Sequence, residues 1–292
     1  MYSTITRHTP PIASSIAGFD LDHCKPAAIL EDEVDSPADR KSRTSSKVTV
    51  KYGILFLIVS GVFAYYGYLI GGWGWLLWWP ALSFLTVACG YLGLGTKIFG
   101  KRTDGTIAWH VFPYLLPYLL YTWAIWHLSR ILLREDCYNE ISPGIYIGRR
   151  VLAYELPQHV KAIVDLTAEF PEPAGVRIGR QYLCLPTLDA GVPTDSKFKA
   201  LVDTVMRISE PMYIHCAEGH GCSGTLAAAV LLLKGQAKDV EEAVIKLQAM
   251  RSGIRLNDKQ KALVRRVCPD LLKERAEPQV QTANARYGNA GG

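Results

Sequence analysis

The densest concentration of potential chemistry lies between Tyr213 and Thr225, which reads Tyr-Ile-His-Cys-Ala-Glu-Gly-His-Gly-Cys-Ser-Gly-Thr. An apolar run, Met212-Tyr-Ile-His215, predicts a strand that ends at Cys216. A short loop with Gly219 and Gly221 follows, and then an Ala/Leu-rich buried helix from Ser223 to Lys234, stopped by Gly235. A strand that enters a helix through such a loop can turn successive backbone N–H groups toward one point. The helix N-terminus adds partial positive charge there, so the turn is an anion nest. A cysteine at its mouth feels the same field, which favours the thiolate and makes it a nucleophile near neutral pH. A cysteine alone in an apolar turn is a small buried hydrophobe. Cys216 together with two glycines and Ser223 argues for chemistry instead. Cys216, His220 and Cys222 match no zinc-binding spacing, and no metal is expected.

The same residues resemble the signature of the protein tyrosine and dual-specificity phosphatase family: His-Cys, five residues, then Arg followed by Ser or Thr. His215, Cys216, Gly219, Gly221 and Ser223 match it in register, and Cys222 stands where the family has Arg. The resemblance spans roughly 138–272, with Ile145–Gly148 similar to the opening strand and Val164-Asp-Leu-Thr167 to a central one. It implies that Cys216 attacks phosphorus and forms a phosphocysteine. Asp189, on the loop 187–194 after a strand, is then similar to the general acid. Ser223 would bond the thiolate and ease its departure. The backbone of Ala217, Glu218, Gly219, His220, Gly221 and Cys222 would hold the phosphate, with His215 supporting the loop. Gln260 is a looser candidate for positioning the hydrolytic water, its plain reading being a surface helix residue. This chemistry needs no cofactor.

Cys222 alters those expectations. Arg presents a planar fork to two phosphate oxygens; cysteine has neither charge nor reach. By analogy with losing one oxyanion donor, its absence costs at least about 10²–10³ in rate. Arg251, Arg255 and His220 are replacements by residue type. Two functions follow: a cysteine-dependent phosphatase acting on a phosphoprotein or a phospholipid phosphomonoester, or an inactive relative that binds a phosphorylated partner or scaffolds at a membrane. A Cys216–Cys222 disulfide would be a third use of the loop. Glu218, with no Lys in the loop, disfavours multiply charged inositides.

These residues need a scaffold. Predicted strands at 144–148, 161–167, 181–185 and 212–215 alternate with helices at 194–209, 223–234, 240–250 and 259–267. Such alternation implies an α/β fold, a dual-specificity-phosphatase-like sheet flanked by helices over 136–272, with a flexible tail at 273–292. In the helix at 194–209, Phe198, Leu201, Val202, Val205 and Met206 share one face.

The N-terminal half is of another kind. Residues 1–50 are rich in Ser, Thr, Pro and Asp and read as a disordered polar leader. From Tyr52 to Thr96, about 45 residues, there is no Asp, Glu, Lys or Arg, enough for two crossings of roughly 20 residues each. Helices are expected near 53–70, 74–94 and 107–128, a membrane anchor over 51–134 with two or three transmembrane helices. Trp73, Trp75, Trp78 and Trp79 suit an interfacial belt. The basic residues Arg40, Lys41, Arg43, Lys47 and Lys51 predict a cytoplasmic N-terminus. Three crossings would place the phosphatase-like part outside, whereas Arg130, Arg134, Arg149 and Arg150 favour the cytoplasmic side. A net charge of +5, modest and dispersed, excludes no partner but offers no nucleic-acid patch. Seven cysteines, scattered singly, form no disulfide framework.

Overall fold

A computed structural model describes residues 47–132 and 135–287. The leader up to residue 46, with its charged patches, lies outside the described residues.

The apolar half begins with helix α1 (Lys47–Ile70), followed by a 3-10 turn (Gly72–Leu77) and α2 (Trp78–Cys89). The reversal between them passes through Gly71 and Gly72 at φ 59° and 45°, a left-handed conformation that a side chain would strain. Ser60 donates a hydrogen bond to Ala81 O (2.7 Å) and Phe63 stacks on Phe84, which locks the two helices into a hairpin. Beyond Cys89 the chain continues through a π-helical turn (Gly90–Leu94) and a 3-10 turn (Gly95–Phe99), so the expected single helix 74–94 is built from several pieces.

Two stretches, Thr49–Ile70 and Gly72–Phe99, are long and apolar enough to cross a membrane, with mean hydropathies of 1.9 and 1.4. Only 17% of the first and 39% of the second apolar window is buried inside the protein. A soluble core helix would be mostly covered, whereas Ile58, Val62, Leu69 and Trp73 are exposed here. The third stretch, α3 (Phe112–Leu132), is not among the two. Pro117 and His127 lower its apolarity, and its Trp126 is 1% exposed because it packs on the other half of the molecule.

That other half is a five-stranded sheet: β1 (Tyr138–Ser142), β2 (Ile145–Arg149), β3 (Ala162–Thr167), β4 (Gln181–Thr187) and β5 (Met212–Cys216), in the order β1-β2-β5-β3-β4. All pairs are parallel except β1–β2. β1 is an addition to the sequence expectation; its polar Tyr-Asn-Glu start carries no strand pattern, and antiparallel pairing with β2 alone creates it. The remaining helices are α4 (Ala174–Arg177), α5 (Asp195–Arg207), α6 (Cys222–Leu233), α7 (Val240–Met250) and α8 (Asp258–Tyr287). α8 runs past 272, where a flexible tail was expected. Central strand β5 is buried throughout, as is α6 from Cys222 to Leu231, so the turn between them sits on the core.

A fully buried ion pair fastens the two halves. Lys101, in the loop after α2, donates to Asp165 Oδ2 and to Thr167 Oγ1, both at 2.5 Å. Both charged side chains are fully buried. Tyr182 adds a hydrogen bond to the same carboxylate at 2.6 Å. Burial alone would raise the Asp165 carboxyl, but the Lys101 ammonium overrides that and holds it well below the usual range. Breaking a buried pair from one side leaves an uncompensated charge. Lys101→Met should therefore lower stability by about 3–5 kcal/mol, and Lys101→Met combined with Asp165→Leu should recover much of it. Denaturation midpoints of the full chain in detergent would check both.

Candidate active site

The crevice beyond the carboxyl ends of parallel strands is where α/β sheets place ligands, and Cys216 ends β5 there. Its Sγ accepts a hydrogen bond from Gly219 N at 3.3 Å and lies 3.4 Å from Ser223 Oγ. Gly219 adopts φ 78°, and a Cβ there would overlap the backbone of Gly148. Only glycine lets the loop close against β2. Thr225 donates its hydroxyl to Gly221 O at 2.8 Å, tying the loop to the first turn of α6.

A cavity of about 390 Å³ opens above Cys216. Ala217, Glu218, His220, Gly221 and Cys222 form its floor, and Asp189 and Glu169 line its side. The opposite wall comes from the apolar helices: Tyr52 and Phe56 of α1, Tyr91, and Tyr118, Ile125 and Trp126 of α3. α3 also touches the loop directly. Trp126 Nε1 donates to Ala217 O (3.2 Å), and Ser129 donates to Glu218 Oε1 (2.8 Å). Arg150 lies with its guanidinium over the rings of Trp126 and Phe170 and donates to Pro171 O, backing this wall.

Asp189 is exposed to solvent at the side of the cavity, and the partial desolvation by surrounding protein raises its pKa. Its Oδ1 accepts from Ala190 N at 3.0 Å. Ala190 has φ 55°, the one non-glycine residue in the left-handed region among the described residues. Such strain gathers where a loop is held for a purpose. Glu169, just past the end of β3, is buried, and burial, with the nearby Asp189 charge, pushes its carboxyl up to about 7. Glu169 belongs to no motif in the sequence; its place immediately after a central strand is the signal that marks it.

Cys222 is 8% exposed, its Sγ 3.7 Å from Leu188 O. Burial first, and then the neighbouring Cys216, pushes its thiol well up. None of the three proposed cationic substitutes supplies a guanidinium to the cavity. Arg251 is committed outside it, to Glu135 (2.9 Å), Asp136 O (2.7 Å) and Glu218 O (2.9 Å). Arg255 is exposed and absent from the lining. His220 does line the cavity, with Nε2 2.7 Å from Glu135 Oε2. Gln260 is buried, not a surface residue: its Oε1 accepts from Asn257 N (3.0 Å), and its Nε2 lies 3.4 Å from Gly191 O. A Cβ on Gly221 would lie 3.2 Å from that nitrogen, so Gln260 sits between the Cys216 loop and the Asp189 loop.

His215 is fully buried, stacks on Tyr213, and faces Asp165 across the β3–β5 register. Burial pulls its imidazole down to about 4. Asp165, Glu172 and His215 bring donor atoms within 4.8 Å of one another. The Lys101 ammonium on Asp165 and the Arg150 guanidinium 3.5 Å from Glu172 already stand where a metal's charge would be.

A family model described as PTP-SAK, Swiss Army Knife protein, DSP-PTPase phosphatase domain, matches residues 152–280. The C-terminal half thus carries a phosphatase-like domain of the dual-specificity and tyrosine-phosphatase type. Among solved structures, PTPMT1 is 22% identical, over 48% of this chain and 99% of that one, at a TM-score of 0.42. PTPMT1 has also been solved in complex with PI(5)P. Tk-PTP in its active form is 21% identical over 46% of this chain and 97% of its own, with a TM-score of 0.41. Human DUSP28 is 14% identical over 47% and 99%, with a TM-score of 0.39. No curated protein matches.

Among the described residues, three carboxyl groups and no Lys or Arg line the cavity, so an oxyanion binds best when a carboxyl is protonated. With Glu169 near 7, tungstate, a dianion throughout the range, should bind up to about tenfold more tightly near pH 6 than near pH 8. Calorimetry on the full chain reads this, and Glu169→Gln should flatten the dependence.

Proposed function

We propose that this protein is a membrane-anchored, cysteine-dependent phosphatase whose substrate is a phosphomonoester of a membrane lipid. One observation carries the reading: the sulfur of Cys216, with Gly219 N–H and the Ser223 hydroxyl on it, lies at the floor of a cavity whose opposite wall is made by the long apolar helices. A substrate with one phosphate and an apolar body fits those two walls. Glu169, Asp189 and Glu218 disfavour a head group with several phosphates.

The α1–α2 hairpin crosses the bilayer twice and brings the chain back to the side it started from. The exposed Trp73, Trp75, Trp78 and Trp79 at and after the reversal suit the far interface. α3 does not cross, so the conflict between three crossings and the basic residues after it dissolves. Lys51 and Lys97 at the near ends of the hairpin favour a cytoplasmic domain.

In this site the Cys216 thiolate displaces the lipid alcohol from phosphorus and forms a phosphocysteine. Asp189, its pKa raised by partial desolvation, gives the leaving oxygen a proton. Ser223 donates to the sulfur and eases its departure when water attacks, and Gln260, between Gly221 and the Asp189 loop, positions that water. Inorganic phosphate leaves, and Asp189 regains its proton from the water. Loop amides and the α6 N-terminus stabilise the oxyanion, but Cys222 supplies no charge to it.

A second reading, a phosphate-binding relative without turnover, is favoured by the absence of Lys and Arg from the cavity lining among the described residues. Kinetics of the full chain in mixed micelles separate the two. Phosphatidic acid should be hydrolysed with a higher kcat/KM than a phosphotyrosine peptide, and Cys216→Ser should abolish turnover. Cys222→Arg should raise kcat at least about 10²-fold. Turnover seen only with Cys222→Arg would establish the binding module, and a preference for the peptide would sink the lipid substrate.

A further inference from the structure

A second cavity of about 370 Å³ lies beside the catalytic one, with Tyr91 and Thr187 in the walls of both. Its electrostatics are opposite. Among the described residues, Lys97, Lys197 and Lys259 line it and no carboxylate does, whereas the catalytic cavity holds three acids and neither Lys nor Arg. The three lysines come from three places: the turn that ends the hairpin, the first turn of α5 and the first turn of α8. Convergence of separate elements is unlike a solvated charge run along one helix face. Burial lowers the Lys259 ammonium from its ordinary pKa.

Position narrows the ligand further. Thr49 at the start of α1 and the turns Gly90–Thr96 after α2 form one wall, so the cavity sits where both long apolar helices meet the domain. Leu92 and Leu94 in that wall are exposed apolar side chains beside the lysines. The other wall is the loop of the candidate acid. Leu188 and Ala190 face this cavity, while Asp189 between them faces the catalytic one.

We infer that this basic cavity is a second anion site, which holds the phosphate of an anionic lipid head group, or free phosphate, apart from the substrate. For the lipid source the inference rests on the membrane reading above. Cationic side chains at a membrane surface attract anionic head groups, and the apolar leucines leave room for the chains of a lipid to continue into the bilayer. A ligand seated there touches the loop on either side of Asp189, so occupancy holds that loop in place.

The test uses the full chain in nanodiscs of phosphatidylcholine with added phosphatidylglycerol, and native mass spectrometry of the lipid retained on release. Retained phosphatidylglycerol should be enriched over phosphatidylcholine, and each of Lys97→Gln, Lys197→Gln and Lys259→Gln should reduce the enrichment about fivefold. Lys161→Gln, an exposed charge elsewhere, should leave it unchanged. A parallel arm measures thermal protection of the detergent-solubilised chain by inorganic phosphate in the Cys216→Ser background, with and without the three lysine substitutions. Lysine-dependent protection by phosphate without lipid enrichment assigns the site to free phosphate. Neither effect, or effects that survive removal of all three lysines, overturns the inference. Carbonate extraction of vesicles reports separately on the anchor. A chain that washes off the vesicles defeats the membrane reading, and the phosphate arm then still decides the site.

Discussion

Lys101 reaches from the end of the apolar hairpin into the interior of the sheet, where Asp165 lies buried with Tyr182 and Thr167 on its oxygens. Desolvating either charge alone is too costly to tolerate, so each requires the other, and the hairpin is thereby held in one relation to β3. The consequences spread from that strand. Asp165 pairs in register with His215, the residue before Cys216, and the chain beyond β3 carries Glu169 and Phe170 into the cavity above Cys216. The apolar half is therefore a structural part of the site, not a tether attached to it.

Contacts from α3 extend the same dependence to the Cys216 loop. Trp126 and Ser129 hold the Ala217 carbonyl and the Glu218 carboxylate from one side, while Arg251 and Glu135 hold the Glu218 carbonyl and His220 from the other. A loop whose amides must converge on an anion cannot be left to its own entropy, and here the clamp comes largely from residues outside the β5–α6 turn. Cys222 supplies no cation to this turn, and carboxyl groups, those of Glu169 and Asp189 with raised pKa values, line the space instead. The resulting cavity is lined by acids and apolar side chains, while the lysines are gathered next door.

Much of this was legible in the chain itself. Apolar runs, the glycine-bearing turn after Met212–His215 and the alternation of strands and helices identified the sheet, the hairpin and the Cys216 loop, because each depends on local periodicity or on backbone conformations that only particular residues adopt. β1, the burial of Gln260 and the place of Glu169 were not legible, since pairing partners and burial are set by residues far away in sequence. The third apolar stretch shows the limit most clearly. Its composition suggested a membrane segment, yet Trp126 finds its partner 91 positions later, at Ala217.

By itself, then, the sequence determined which residues could carry nucleophile, acid and nest, and that a charge-free stretch precedes them, for these are matters of residue type and near-neighbour spacing. Only the tertiary structure decided what surrounds them: that Arg251 is spent outside the cavity, that three acids line it, and that the apolar helices wall it. Electrostatics in a cavity depend on which charges meet across space and how deeply they are buried, and neither quantity is written in the order of residues.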